Sequence, residues 1–399
     1  MFENITQGFT TAGNRKILSR EIIRERLLLS IFAIGTNTGL KRISGASLGK
    51  VTHEDLIHIK RFFLNADELR DAIARVVNAI YRVRDPLIWG EATSVCGSDS
   101  VQIESYNQNL MTQWHPRYHS SGVMIYWHVN TQSICIYSQL KTCTSSEVAA
   151  MLQGLLDHQT DFEVQSHATD SHGKSDLGFA LTYLLGFDLL PRYKSLGSQK
   201  LYSPAENFKT KHLSSIMTGE INWALIETQY DDMVRHTTAL KTGTARADVF
   251  VRKFSRSNYG HPTFKAFIEL GRAIKTIFLC RYLDSLELRQ QINSGLNVVE
   301  NWNSANRFIY YGKSGEFATN SRDEQEISML CLHLLQVSLT YVNTLFVQDI
   351  FAEKHLICQF QTEDFRALTP LFYNHVNPYG SFILDLNKRL NIQNIGKVA

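Results

Sequence analysis

The chain has 399 residues, of which 44% are hydrophobic and 20% are charged, a composition typical of a globular protein with a sizeable core. The formal net charge of +3 gives no general argument for a nucleic-acid partner, and six cysteines without CxxC spacing indicate a reduced, intracellular protein rather than a disulfide scaffold. Because neither a signal peptide nor a segment with the character of a membrane span is recognisable, we expect a soluble protein.

Residues 1–88 are predicted to form an all-helical N-terminal segment. Apolar residues recur at helical spacing after three N-cap signals, at Ser19, Thr52 and Asn65. The helices that begin there are predicted to end near Ile34, Phe63 and Val83.

Residues 89–195 have a different character, because runs of β-branched and aromatic residues alternate with turn residues. The predicted strands are Ser94–Asp99, Gly122–Val129, Ser133–Leu140, Phe162–His167 and Phe187–Leu190. The second and third form a hairpin, and helices precede and follow the fourth. Three paired strands followed by alternating helix and strand predict a mixed α/β sheet.

Beyond Tyr193 the pattern is almost entirely helical, and we divide it into an insertion, 196–284, and a C-terminal part, 285–399. Between Arg235 and Arg281 there are ten Lys or Arg residues, against Asp248 and Glu269 as the acids. Such clustering is typical of a surface that contacts a phosphate backbone. A solvated helical surface, balanced by acids elsewhere in the fold, is an equally good interpretation.

Three carboxylates stand at or near predicted element boundaries. Asp99 and Asp170 each follow a predicted strand, and Glu300 is expected on a helix packed against the sheet. Open α/β sheets place their chemistry outside strand ends, so the first two are expected to converge. Three carboxylates and the substrate phosphates suffice to hold two Mg²⁺ ions, which activate in-line attack on phosphorus. The pattern therefore indicates a polynucleotide-processing enzyme.

Each of these carboxylates also has a purely structural interpretation. Asp99 lies in a Gly-Ser-Asp-Ser run that is good turn chemistry, and Asp170 suits an N-cap of the following helix. Glu300 suits a capping box with Asn297. Spacing alone leaves further carboxylates in competition with them, namely Asp176, Asp231, Asp232, Glu269 and Glu316.

Several short runs stand out in a fixed order between residues 15 and 385. They are Ile31–Ile43, Thr169–Gly173, Phe179–Phe187 with Pro191-Arg192, Leu240–Thr244, Glu269–Arg272, Leu296-Asn297 with Glu300, and Tyr311–Glu316. Each run is weak by itself. Together, in this order and spacing, they resemble the C-terminal catalytic region of replicative transposases of the Tn-three family.

This resemblance implies an RNase H-like DDE catalytic domain, interrupted by a helical insertion before the glutamate. It implies that Asp99, Asp170 and Glu300 are the catalytic triad and bind two Mg²⁺ ions, for which Mn²⁺ can substitute. The implied reaction is nicking of transposon ends, after which the freed 3′-hydroxyl attacks target DNA and replication completes a cointegrate.

The resemblance also implies partners and a location. The partners are terminal inverted repeats and target DNA, a second copy of the chain bound to that DNA, and a separate N-terminal portion that recognises the repeats. The location is the bacterial cytoplasm, at the nucleoid. The residues implied to contact DNA are His172, Lys174, Lys241, Arg246, Lys253 and Arg272.

Two departures from the family pattern bear on activity. The long N-terminal portion of family members is not part of this chain, which we therefore expect to be an isolated catalytic region, one part of a split gene or a truncated relative. Ser100 stands where the family usually has glycine after its first catalytic aspartate. The alternative functions are a catalytically silent DNA-binding remnant or regulator that keeps the fold, and a metal nuclease without strand transfer.

Overall fold

The computed structural model describes residues 9, 18–46, 50–91, 93–106, 109, 111–116, 118–170, 175–206, 208, 210–253, 260–317, 319–353, 359–361, 364–377 and 383–388. Between residues 18 and 91, the described residues include five helices, of which three begin after the predicted N-caps. These are α1 (Arg20–Gly35), α2 (Leu40–Ala46), α3 (His53–Phe62), α4 (Ala66–Val83) and α5 (Pro86–Trp89). Ser19, Thr52 and Asn65 each accept a hydrogen bond from a backbone N–H of the first turn, which satisfies a donor that the helix itself leaves unpaired.

The next segment forms a mixed sheet, which has six strands within the described residues. They are β1 (Val95–Glu104), β2 (Gln113–His115), β3 (Ser120–Asn130), β4 (Cys135–Lys141), β5 (Ser166–Thr169) and β6 (Asp188–Pro191). Strand β3 lies antiparallel between β1 and β4, and also pairs with β2. On the other edge of β1, β5 and then β6 add in parallel. The predicted hairpin and the α/β character are confirmed.

Helices cover both faces of this sheet. On one face α6 (Glu147–Asp157) and α7 (Asp176–Leu185) pack, and α8 (Trp223–Lys241), α9 (Ala247–Lys253) and α10 (Pro262–Asp284) lie outside them in the same hydrophobic core. On the other face α11 (Leu286–Ile309) and α12 (Arg322–Phe351) share a core with the N-terminal helices α1 and α4. The sheet is therefore a buried middle layer, which explains why β3 is apolar on both sides.

Helix α12 follows Ser321, whose hydroxyl accepts a hydrogen bond from the N–H of Glu324 and caps the helix. The sequence shows no segment recognisable as a membrane span, yet α12 is long and apolar enough to cross a bilayer by length and composition. Inside the fold 67% of its most apolar window is buried. Its contacts with α1, α4 and β4 account for that apolar character, since a core helix passes the same test.

Three details of the sheet differ from the prediction. Strand β1 extends five residues past Asp99 to Glu104, because β3 is long enough to pair with it as far as Gly122. Strand β5 begins at Ser166 rather than at Phe162. The region beyond Tyr193 is not purely helical, since β7 (Leu201–Ser203) and β8 (Met217–Glu220) pair in parallel. Both strands are too short to give a recognisable alternation.

Candidate active site

Asp99 and Asp170 lie at the same level on neighbouring parallel strands. The parallel pairing of β1 with β5 ends with Ser98 opposite Thr169, and each aspartate is the next residue of its chain. Asp99 is thus in the middle of β1, where we had expected a strand end, but it is the first β1 residue beyond the β5 pairing. Because β5 stops there, the position beside Asp99 is open, and its carboxylate can reach a ligand.

Glu300 is brought to this level by the packing of α11 on β1. A β-carbon at Gly97 would stand 2.7 Å from the carbonyl oxygen of Gly295, so helix and strand are in direct backbone contact. Further along α11, Asn303 borders a cavity together with the far half of β1. Helix and strand therefore run in the same direction, and Glu300 lies over the part of β1 that contains Asp99.

Asp99 also lies on the face of the sheet that α11 covers. Gly97 faces α11, and side chains two residues apart on a strand share a face, so Asp99 faces α11 as well. Ala168, the strand partner of Gly97, has its β-carbon 3.5 Å from the position a β-carbon would take at Gly295. Asp170 continues β5 from that residue. The structure thus collects the three predicted carboxylates in one region between the sheet and α11.

Two cations that the sequence analysis did not assign to the site lie among these carboxylates. One guanidinium nitrogen of Arg192 is 3.8 Å from Asp170 Oδ1 and 3.9 Å from Glu300 Oε1. Lys194 Nζ is 3.2 Å from Asp170 Oδ2. Because one nitrogen approaches both carboxylates, Asp170 and Glu300 are near neighbours although 130 residues separate them in sequence.

A usable signal for Arg192 was present in the sequence. Strand β6 was predicted, and its last residue pairs with the last residue of β5, so whatever follows β6 lies beside Asp170. The backbone N–H of Arg192 donates to the carbonyl of Thr169, which continues that register by one residue. When two parallel strands are neighbours, a Lys or Arg directly after one strand lies beside a carboxylate directly after the other. Such a pair can be recognised in the sequence.

The structural interpretations of the three carboxylates do not hold. Asp99 is in an extended strand and not in a turn. The N-cap of α7 is Ser175, whose hydroxyl accepts from the N–H of Gly178 at 3.0 Å, and not Asp170. Glu300 is in the interior of α11, far from its N-cap at Ser285. Their positions are thus not explained by capping or by turn formation.

Several competing carboxylates take part in ion pairs elsewhere in the fold. Asp176 lies 3.1 Å from Lys275 Nζ, and Asp232 lies 2.9 Å from a guanidinium nitrogen of Arg235. Glu269 pairs with a neighbouring arginine and also accepts from the backbone N–H of Asn222. Asp176 and Glu269 link neighbouring helices and Asp232 forms a pair within α8, so a role in a metal site is not needed to account for them.

Ser100, the departure from the family pattern, fits its position without strain. It pairs with Tyr126 in the β1–β3 ladder, in an extended conformation that any residue adopts. Its N–H donates to Asp99 Oδ1 at 2.7 Å, and its hydroxyl donates to Glu147 Oε1 at 3.5 Å. Nothing in the described backbone requires glycine here.

A buried polar cluster supports β1 and β5 from the opposite face of the sheet. The Ser98 hydroxyl lies 2.7 Å from the Tyr126 hydroxyl and 2.7 Å from His167 Nε2. Burial lowers the pKa of His167 well below its usual value, and burial likewise lowers the pKa of the adjacent His128 to about 3. Both imidazoles are therefore neutral, and the side-chain hydrogen bond from β1 to β5 secures the register that aligns Asp99 with Asp170.

The site fits a divalent cation by its donor type. Carboxylate oxygens are the ligands that Mg²⁺ prefers, and Asp99, Asp170 and Glu300 are all carboxylates on one side of the sheet. Across the described residues, however, no three His, Cys, Asp or Glu side chains are close enough together to hold a metal ion. In this arrangement Arg192 contacts two of the three carboxylates, so closing them around a cation requires its guanidinium to move away.

The residues implied to contact DNA are spread over several elements. His172 and Lys174 lie outside the described residues. Lys241 is exposed at the end of α8, and Lys253 is exposed at the end of α9. Arg246 is exposed just before α9 and pairs with Asp248 at 3.0 Å.

Arg272 has a different environment from the other cations of the basic segment. It pairs with Glu269, and its guanidinium carbon lies 5.0 Å from the ring centre of Tyr202. Its side chain is only 33% exposed. Arg272 thus contributes to the packing of α10 against β7, and a contact with DNA would be additional to that role.

Comparison with known proteins gives one consistent family. The model of the Tn3 transposase DDE domain matches residues 3–382. The transposase of transposon Tn1546 from Enterococcus faecium is 28% identical over 98% of this chain, which spans 39% of that protein. The transposase of Tn501 from Pseudomonas aeruginosa is 28% identical over 92% of the chain and 37% of its own length.

A third relative agrees, because the transposase of transposon gamma-delta from Escherichia coli is 27% identical over 89% of this chain and 36% of its own length. The chain thus spans about two fifths of the length of the relatives that it matches. The match to the family model covers nearly the whole chain, in agreement with the motifs found in the sequence. The chain belongs to the Tn3 transposase DDE domain family.

Proposed function

We propose that this chain is the catalytic domain of a DNA transposase, and that Asp99, Asp170 and Glu300 are its DDE triad. The observation that carries the proposal is the alignment of Asp99 and Asp170 on adjacent parallel strands, with Glu300 on the helix that covers them. An RNase H-like fold is part of the proposal. It is supported by the sheet, in which three antiparallel strands continue into two parallel ones.

The two aspartates and the glutamate reach the proposed metal site from different elements. Asp99 is held by the pairing of β1 with β3 and Asp170 directly follows β5, so both extend from the sheet, whereas Glu300 is 60% exposed and approaches from a helix. Two bound Mg²⁺ or Mn²⁺ ions would supply charge neutralisation and activation of the attacking oxygen. Arg192 and Lys194 offset the negative charge of Asp170 while no DNA is bound and can turn to the DNA phosphates once the carboxylates bind cations.

The finer features of the reaction also belong to this proposal. They are cleavage of transposon ends, strand transfer to target DNA and the replicative, cointegrate-forming mode, carried out by two copies of the chain on DNA in the bacterial cytoplasm. The proposal also includes domain boundaries at residues 88, 195 and 284. It further includes a separate N-terminal portion that recognises the terminal repeats. The support is membership of the family, together with the relatives named above, which are transposases.

The test is a strand-transfer assay with supercoiled plasmid, labelled transposon-end DNA and MgCl₂. We expect joined product from the wild-type chain and loss of it in Asp99→Asn, Asp170→Asn and Glu300→Gln. The loss should exceed the roughly 10- to 100-fold that mutation of a supporting residue around a metal site costs. A matched control is Asp188→Asn, because Asp188 is exposed at the far end of β6 and pairs with the far end of β5.

The same assay separates the alternatives. Cleavage without joining would identify a metal nuclease, and DNA binding without either product would identify a silent remnant or regulator. Full activity in Asp99→Asn would show that the triad is wrongly assigned.

A further inference from the structure

A cavity of about 400 Å³ lies between β1 and α11, further along both elements than Asp99 and Glu300. It is lined by Val101 of β1, Trp127 of β3, and Asn303, Asn306 and Arg307 of α11. Its volume is within the range of small-molecule binding pockets. Nothing in the proposed two-metal chemistry uses this cavity.

The cavity contains a buried amide with no partner. Asn306 is 4% exposed, and within the described part of the chain neither its Oδ1 nor its Nδ2 has a hydrogen-bond partner. Asn303 Oδ1 is also buried and has no hydrogen-bond partner within the described part of the chain. A buried donor and acceptor left unpaired destabilise the fold, so a side chain retained in this state indicates a ligand that completes its hydrogen bonds.

The rim of the cavity is strained, which is a second and independent sign of function. Ser314, which lines the cavity, and Lys313 before it have positive φ angles of 58° and 45°. Such conformations persist only where the surroundings impose them. Here Asn37 imposes them, because its Nδ2 donates to the carbonyls of Gly312 and Glu316 at 2.8 and 2.7 Å.

The position of the cavity identifies the kind of ligand. Glu300, Asn303 and Arg307 lie three and four residues apart on α11 and share one side of the helix. A ligand with an anionic group near Arg307 can therefore extend a planar polar group to Asn306. An amide that offers both a donor and an acceptor matches the edge of a nucleobase, which it can bind through two hydrogen bonds. Tyr310 supplies an aromatic ring to the lining, whereas Trp127 is fully buried behind it.

We propose that this cavity binds one unpaired nucleobase of the DNA strand whose phosphate lies at the carboxylates. The inference rests on the proposed function, since it takes DNA as the substrate. Asn306 reads the edge of the base, and Asn303 accepts a further hydrogen bond. A base in a duplex cannot present its pairing edge to a cavity, so the base must leave the stack. Asn306 is therefore a specificity residue for the nucleotide beside the reacting phosphate.

The test uses fluorescence anisotropy with the full chain in MgCl₂ and short single-stranded probes. The probes are oligo(dA), oligo(dC), oligo(dT) and an abasic oligonucleotide of the same length. We expect the best base-containing probe to bind about tenfold more tightly than the abasic one. This is the gain in affinity expected from one amide that makes two hydrogen bonds to a base. In Asn306→Leu this preference should disappear while affinity for the abasic probe stays unchanged.

A matched control and a stability measurement make the test specific. Asn301→Leu makes the same change at an exposed position of α11 and should retain the preference. Asn306→Leu should melt at the wild-type temperature or above, because it removes an unpaired buried amide, whereas a purely structural asparagine would lower it. Should Asn306→Leu fail to fold, Asn303→Leu provides the same readout.

The outcomes separate this inference from the proposed function. DNA binding that is equal for abasic and base-containing probes, or that is unchanged in Asn306→Leu, overturns the base site and leaves the transposase proposal standing. No binding of any oligonucleotide also overturns the base site, while the transposase proposal is decided separately by the strand-transfer assay.

Discussion

At the scale of single residues, Arg192 is the side chain that most changes the chemistry of the carboxylate site. It contacts Asp170 and Glu300 through the same nitrogen and is itself only 25% exposed. Two carboxylates brought together without a cation repel each other, so Arg192 stabilises the site in the absence of metal. A divalent cation would take over that function, and the two cations compete for the same oxygens.

We therefore predict that Arg192→Gln destabilises the metal-free protein and strengthens its response to metal. In EDTA the free energy of unfolding should fall by about 1 kcal/mol, the value of a partly exposed ion pair. Addition of MgCl₂ or MnCl₂ should raise the melting temperature more in Arg192→Gln than in the wild type. Both shifts can be measured by thermal melting.

The control is Arg235→Gln, which removes an arginine from an exposed ion pair with Asp232. It should change neither the stability in EDTA nor the response to metal. An equal metal response in Arg192→Gln and wild type would mean that Arg192 does not compete with cations at these carboxylates.

At the scale of elements, the contact of α11 with β1 decides where Glu300 lies. Gly97 allows the backbones of strand and helix to touch, since any β-carbon there would stand 2.7 Å from Gly295 O and 3.2 Å from Val299 Cγ2. Close approach of this kind needs residues without side chains on the facing surfaces. Glycine in the middle of a strand is therefore explained here by helix packing and not by a turn.

We predict that Gly97→Ala pushes α11 off the sheet and lowers both stability and activity. Overpacking at a backbone contact costs about 1–3 kcal/mol of unfolding free energy. The measurement is urea unfolding together with the strand-transfer assay. Because the displaced helix carries Glu300, activity should fall further than the fraction of unfolded protein explains.

Gly219→Ala is the matched control for this change, because it also replaces a strand glycine. The nearest atom to a β-carbon at Gly219 is 3.8 Å away, on the ring of Tyr202, which is an ordinary contact. We expect it to be neutral or slightly stabilising. Equal behaviour of the two variants would contradict the packing argument.

At the scale of the whole molecule, charge is distributed unevenly although the net charge is only +3. The structure resolves part of the ambiguity in the basic segment. Arg235, Arg246, Arg272 and Lys275 pair with acids, several of them local, while Lys241 and Lys253 are exposed at helix ends. The effective charge of the segment is thus lower than its composition indicates.

We predict that the combined variant Lys241→Gln, Arg246→Gln and Lys253→Gln weakens DNA binding and flattens its dependence on salt. Each phosphate contact contributes about 0.9 to the slope of log affinity against log salt concentration on duplex DNA. The slope, measured by anisotropy over a series of NaCl concentrations, should fall by up to three such increments.

The control variant neutralises three exposed arginines on α3 and α4, namely Arg61, Arg75 and Arg82. It makes the same change in net charge and should leave the slope as it is. If both variants lower the slope equally, the effect is due to net charge. The basic segment would then be a solvated surface without a specific role in DNA binding.

The sequence by itself determined the local elements and the family. Ser19, Thr52 and Asn65 begin helices because capping depends on residues within one turn of each other. The hairpin followed from two β-branched runs with a turn between them. The seven motifs identified the family because their order is a property of the linear chain. The roles of Asp99, Asp170 and Glu300 follow from that resemblance and stay a prediction.

Only the tertiary structure decided how distant residues meet. The extension of β1 past Asp99 depends on the length of β3, and the approach of Glu300 depends on Gly97 fitting against Gly295, 198 residues away. The unpaired amide of Asn306 likewise could be recognised only in the tertiary structure. Strand register and helix-on-sheet packing are set by contacts between residues far apart in sequence, and no local pattern encodes them.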